Sequence, residues 1–186
     1  MILPVHIIGS SVLRKVAQDI HFNEYKDLQT LIDDMFETMY SSEGVGLAAP
    51  QVGKSIRLFV IDAQAMSEDE PELEGFKKVF INAHILERMG EPYIFNEGCL
   101  SIPGLREDVL RLEKIRISYL DENGTAHEDI FEGTKARIIQ HEYDHLDGFL
   151  FTDRVTPLRR TILKGKLNSI SKGKFEAKYK IKLGKV

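Results

Sequence analysis

The sequence predicts an α+β fold: mostly antiparallel sheets packed around a central buried helix, with an additional helix near the C-terminus. Three observations carry this. Strand-like runs fill the middle of the chain and helical patterns lie at both ends, an order that argues for antiparallel pairing rather than alternating βαβ units. The turn Asp121-Glu122-Asn123-Gly124 separates alternating Ile115, Ile117 and Tyr119 from Thr125–Phe131, which is a hairpin signal. Thr134–Leu146 carries Ala136, Ile138, Ile139 and Leu146 around much of a helical circumference, as a buried helix requires.

Taken in order, Ser10 or Ser11 caps a short helix with Val12, Leu13 and Val16. Tyr25 to Ser42 is helical, because Leu28, Leu31, Ile32, Met35 and Met39 form one apolar stripe; its methionines are core packing. Glu43–Gly53 is rich in glycine, alanine and proline, and such small residues let a backbone or ligand approach closely. Gly53-Lys54-Ser55 closes the segment, but Ala48 stands where the first glycine of a phosphate-binding loop would be, so the glycine spacing matches no nucleotide fingerprint. Arg57–Ile61 and Lys77–Leu86 are strands. Between them, Ala63–Gly75 carries five acids from Glu68 to Glu74 and reads as a solvated loop. Tyr93–Arg106 reads as irregular. Gly148 stands where a left-handed C-cap ends the buried helix. A last helix opens at Thr156-Pro157, with Leu158, Ile162, Leu163, Leu167 and Ile170 as its apolar stripe.

The chain has 186 residues, 42% hydrophobic and 29% charged, the profile of one soluble domain. No apolar run reaches the roughly 18 residues of a membrane span. The first residues show neither a signal peptide nor a transit peptide, so the expected location is the cytoplasm of a bacterium, with no membrane and no DNA as partner. The single cysteine, Cys99, excludes an intrachain disulfide framework. The net charge of −4 is uneven: from Arg159 onward ten basic residues face one acid, Glu176, giving +9 there and −13 before it. The expected division is one domain over residues 1–172 and a basic tail over 173–186. That tail points to a polyanionic partner.

The chemistry starts at His141-Glu142-Tyr143-Asp144-His145. Histidines four residues apart share one helical face and can direct two imidazoles at one metal ion, with Glu142 within reach of a water there. By itself the pattern is also compatible with two hydrogen-bonded core histidines. A catalytic site needs a third protein ligand and an open position. His6, His21, His84 and His127 lie in no local motif and read as surface or packing residues. Cys99 is the better third ligand, because Gly98 and Leu100-Ser101-Ile102-Pro103 make a rigid turn around it. A thiolate with two imidazoles suits zinc and ferrous iron alike.

Three separated motifs now resemble those of the peptide deformylases. They are G-x-G-L-A-A-x-Q at Gly44–Gln51, E-G-C-L-S at Glu97–Ser101 and Q-H-E-x-D-H-L-x-G at Gln140–Gly148. The likeness covers most of residues 1–170. It implies a metal-dependent hydrolase that removes the N-formyl group from the initiator methionine of nascent polypeptides, releasing formate. By the same resemblance Cys99, His141 and His145 are the metal ligands and Glu142 is the general acid/base. The Gln51 amide and the Leu100 N–H are the oxyanion donors, and Val45, Gly46 and Gly98 line the peptide groove. The implied ion is Fe2+; Zn2+, Ni2+ and Co2+ fit the same donors. Thr134 and Arg137 stand near the methionine pocket but are polar. The expectation is that they turn away, or that Phe95, Ile138 and Val45 make the wall. Glu97, counted with the substrate-contacting residues, is read with Arg106 either as an ion pair that fixes the Cys99 turn or as two separate surface charges. The rivals are an H-E-x-x-H metalloendopeptidase and a metal-stabilised module that binds ribosomes; a deformylase whose basic tail also docks on the ribosome, and is dispensable for hydrolysis of a short substrate, reconciles both signals.

Overall fold

The structure is a computed structural model and describes residues 1–184; Lys185 and Val186 of the basic tail lie outside the described residues. The fold is α+β. Strands β2 (Gly46–Ala48), β3 (Leu58–Asp62), β4 (Lys77–Cys99), β5 (Ile102–Leu120) and β6 (Ala126–Glu132) form one antiparallel sheet in that order. Helix α1 (Leu28–Ser41) precedes it, α2 (Gly133–Leu146) follows β6, and α3 (Pro157–Ser171) comes last. Among the described residues no helix is long and apolar enough to cross a membrane.

The locally patterned elements fall where the sequence places them. Leu120 pairs with Ala126 across the Asn123-Gly124 turn, and Gly124 has φ 79°. The α1 stripe, Leu28, Leu31, Ile32, Met35 and Met39, is buried against Leu47, Leu58, Val60 and Ile81 of the sheet. The helix starts three residues later than its periodicity suggests, after Asp27 at φ 63°. The residues before α2 end in Glu132, and Gly148 turns the chain at φ 77° just past it. The acidic segment is not wholly solvated: Leu73 is buried in the core and Met66 is partly buried against it.

The largest departure is residues 93–106. They are not irregular; β4 runs to Cys99 and β5 starts at Ile102, so only Leu100-Ser101 turns the chain. Two features hide this strand pair from a periodicity reading. Register shifts at Ile81/His84, Ile85/Glu87, Met89/Pro92 and Gly98/Cys99 break the alternation. The inward positions of β5 also include charged residues, Glu107 and Arg111, beside apolar Leu105 and Val109. A second departure is α3. Leu163 and Ile170 are buried and Leu167 is partly so, but Leu158 is 71% and Ile162 58% exposed. Positions 158 and 162 are one turn apart on a face that turns away from the core, so the stripe is narrower than the five residues suggest.

The basic segment beyond Gly173 turns back onto the body. Strand β7 (Ile181–Lys182) pairs in parallel with β1 (Val5–His6), with Val5 N–H donating to Lys180 O at 2.9 Å and Ile7 N–H to Lys182 O at 3.0 Å. Phe175 packs on the core formed by Ile7, Ile102, Phe151 and Ile170.

Candidate active site

Helix α2 is positioned by its burial. Ala136, Ile139, Tyr143 and Leu146 pack into the core formed with Phe59, Phe80, Ile115 and Ile117 of the sheet. This fixes the helix rotation and sends His141, Glu142 and His145 towards the β4–β5 turn. Cys99 stands at the end of β4, and its ligand atom and those of His141 and His145 all lie within 4.8 Å of one another. Cys99 Sγ is 3.4 Å from His145 Nε2.

His141 is oriented from behind. Its Nδ1 lies 2.7 Å from Glu97 Oε1. Burial works against ionisation of Glu97, but the hydrogen bonds of His141 and Arg111 outweigh it and hold the carboxyl well below its usual range. A carboxylate only accepts, so the ring donates through Nδ1 and Nε2 is left free for the site. Arg111 donates from Nε to Glu97 Oε2 at 2.8 Å and from Nη2 to Oε1 at 3.0 Å, and Arg137 Nη1 donates to Oε2 at 2.9 Å.

The Glu97–Arg106 ion pair is therefore not formed. Arg106 lies opposite Gly98, one position on from Glu97, so its side chain leaves the other face of the sheet and bonds Asn96 instead. Arg111 shares the face of Glu97 and reaches along it. The carboxylate of Glu97 is taken up by these partners rather than presented to the groove.

Arg137, expected to turn away, is 2% exposed and donates to Glu97, Val109 O and Tyr93 O, with its guanidinium over the Tyr93 ring. The same network extends from Arg111 to Asp144, whose other oxygen takes Arg154, at 2.8 and 2.7 Å. Sequence reasoning set Arg137 near the methionine pocket and gave Arg111 no element, so neither was read as a partner of Glu97.

The thiol of Cys99 is acidified. Burial opposes the thiolate, but His145 and His141 outweigh it by charge and hydrogen bonding and bring the pKa down to about 5. Glu142 shows the opposite balance. Burial pushes its carboxyl up to about 7 against the opposing pull of the two histidines. Its Oε2 is buried without a hydrogen-bond partner, and so is His145 Nδ1. The one sulfur and two imidazoles fit a bound ion, and the orphaned Glu142 Oε2 beside them fits a reacting water.

Gln51 is 1% exposed, and its amide orientation is set by its partners. Oε1 accepts from Ala48 N–H at 2.9 Å, so Nε2 is the end that donates to Ser101 Oγ at 3.2 Å and approaches Cys99 Sγ at 3.5 Å. Gly46 passes directly under Glu142: a Cβ there would lie 2.5 Å from Oε1. These groups open on a cavity of about 960 Å³, lined among others by Val45, Gly46, Phe95, Gly98, Leu100, Thr134 and Ile138. His84 and His127 lie outside it and pair with Asp19 and Asp121.

Comparison with known proteins places the chain in a family. The sequence model of the family described as polypeptide deformylase matches residues 2–161. A peptide deformylase of Christiangramia forsetii is 48% identical over 98% of this chain and 96% of its own. One from Flavobacterium psychrophilum is 49% identical over 98% and 97%. Among solved structures, a peptide deformylase from Legionella pneumophila matches with a TM-score of 0.78 and 41% identity, covering 92% of this chain and 96% of that one. A peptide deformylase from Plasmodium falciparum matches with a TM-score of 0.80 and 35% identity over 91% and 95%. On the family match and on relatives aligned along nearly its whole length, the chain belongs to the polypeptide deformylase family.

Proposed function

We propose that this enzyme, which removes the formyl group from nascent peptides, does so with one divalent metal ion held by Cys99, His141 and His145. The observation that carries this is the convergence of one sulfur and two imidazoles within 4.8 Å. An acidified thiol and one ring nitrogen fixed as a donor elsewhere support it. Three protein donors leave the open position that a catalytic ion needs. We assign ferrous iron as the ion in the cell, with zinc, nickel and cobalt compatible with the same set. When bound, the ion supplies Lewis acidity, polarising the formyl carbonyl and making water more acidic.

The remaining work falls to side chains. Glu142 takes a proton from the attacking water and returns it to the amine nitrogen as the C–N bond breaks. Its Oε2, buried beside the site and free of any hydrogen-bond partner, is placed to do both. As the water oxygen bonds to the formyl carbon, the carbonyl oxygen becomes an oxyanion. Gln51 Nε2 and the Leu100 N–H donate to it. Val45, Gly46 and Gly98 pair with the substrate backbone, and Phe95, Ile138 and Val45 wall the methionine pocket. Glu97 orients His141 rather than touching substrate. Backbone pairing explains how many different nascent chains are accepted, since it does not read side chains. The setting is the bacterial cytoplasm, where such chains emerge.

The test is anaerobic purification with elemental analysis, coupled to formate release from a formyl-Met peptide. One equivalent of iron with formate release is expected. Cys99→Ala is expected to lose both the ion and activity; a metalloendopeptidase using another third ligand would keep its ion. No formate with any reconstituted ion overturns the reading.

The +9 balance of residues 159–186 supports a second proposal, docking on the ribosome through exposed Lys164 and Lys172. Lys164→Glu with Lys172→Glu is expected to weaken ribosome binding while leaving formate release from a short peptide unchanged. Wild-type binding that ignores salt would sink it.

A further inference from the structure

We infer that the segment Phe175–Lys182 is a strap that completes the active site, with Tyr179 as a positioning residue for the turn that carries Leu100. This rests on the proposed role of the Leu100 N–H as an oxyanion donor. Leu100 and Ser101 alone connect β4 to β5. So short a turn is stiff only if its peptide planes are held, and each of its carbonyls is held by a different part of the chain. The Tyr179 hydroxyl donates to Leu100 O at 2.7 Å, and Ile8 N–H donates to Ser101 O at 2.9 Å. Gln51 holds the Ser101 hydroxyl from inside. The turn is therefore clamped from the N-terminal segment, from the Gln51 loop and from the strap.

Tyr179 is itself well fixed. It is half-buried, and β7 follows it two residues later, paired to β1. Phe175 anchors the other end in the core, and Leu183 packs where a Gly173 Cβ would stand. Between the two anchors, Glu176, Ala177, Lys178 and Tyr179 line the same cavity as Gly98, Cys99 and Glu142. Gly104 and Arg106 of β5 line it as well. The strap is thus a wall of the groove, placed to meet substrate residues beyond the first. This reverses the expectation that the basic tail is dispensable for hydrolysis.

A merely structural strap and a positioning strap differ in kinetics. Tyr179→Phe keeps the ring and removes only the hydroxyl. We expect kcat for a formyl-Met dipeptide to fall about 3- to 10-fold, the worth of one hydrogen bond, with KM within about twofold and the melting temperature lowered by no more than a few degrees. Amide hydrogen exchange across Cys99–Ser101, measured with and without the ion, should speed up in the same variant. Truncation after Phe175 should add a rise in KM that is larger for a formylated pentapeptide than for the dipeptide. Wild-type kcat and exchange in Tyr179→Phe overturn the inference, as does a loss confined to KM. Gln51→Ala serves as the control. If it loses activity while Tyr179→Phe does not, the strap alone is refuted. If the wild-type iron enzyme releases no formate, the underlying assignment fails instead.

Discussion

Gly46→Ala is expected to lower kcat by about 10² or more while the protein stays folded. Gly46 lies in β2, paired with Ile61, and its backbone is not in the left-handed region, so alanine meets no conformational penalty there. The obstacle is steric and specific. The added Cβ would stand 2.5 Å from Glu142 Oε1, 2.8 Å from Cδ and 2.9 Å from Cγ. Helix α2 is packed on all sides and cannot retreat, so the glutamate side chain must rotate away from the position at which its Oε2 is buried and unpartnered. The substitution removes the proton carrier without touching a metal donor. Metal content and melting temperature should match the wild type while formate release collapses. A variant with wild-type kcat would mean that Glu142 acts from more than one position, and the proton-transfer assignment would fall.

The largest effect on stability is expected at Arg111. Its guanidinium is 7% exposed and bridges Glu97 and Asp144, two carboxylates that are themselves 4% and 2% exposed. Arg111→Met retains much of the bulk but leaves both carboxylates short of a partner, a change that typically costs about 3–5 kcal/mol. The pH dependence checks the cause. In the wild type both groups titrate below their ordinary values of 4.5 and 3.8, because arginine and histidine partners outweigh the opposing effect of burial. A carboxylate lowered on folding contributes stability above its unfolded pKa and loses it as pH falls towards the folded one. With Arg111 gone that contribution shrinks, and the buried groups gain by accepting protons. The stability gap between wild type and variant should therefore be widest near neutrality and should narrow as pH falls through about 4. Denaturant melts at several pH values measure it, and a gap that does not change with pH would mean that packing rather than charge holds the network.

Local pattern and the final arrangement correspond closely where one side chain repeat decides the outcome. Helix α2, the Asn123-Gly124 hairpin and the Thr156-Pro157 start of α3 each follow from a few adjacent residues. The gathering of Cys99 with His141 and His145 was legible for another reason: few residue types bind a soft ion, and only one cysteine exists. The partners behind that set were not legible. Glu97 meets Arg111 and Arg137 only because β4 and β5 pair in a register that bulges have shifted. No spacing in the sequence encodes that register. The same holds for Tyr179, which reaches Leu100 from 79 positions away in the chain.

The pairing of β1 with β7 has a consequence for the order in which the molecule matures. Val5 leaves the translating ribosome early, and Ile181 follows only after nearly all the residues between them. Until then the edge of β1 has no partner, and the turn at Leu100 lacks one of its clamps. Joining such distant segments is a slow, late step of folding. Helix α2 and the main sheet can assemble first, so a newly made molecule would pass through a stage in which Cys99, His141 and His145 are gathered before the groove is finished. An enzyme that acts on chains during their synthesis would thus complete its own site only after Ile181 has itself been made.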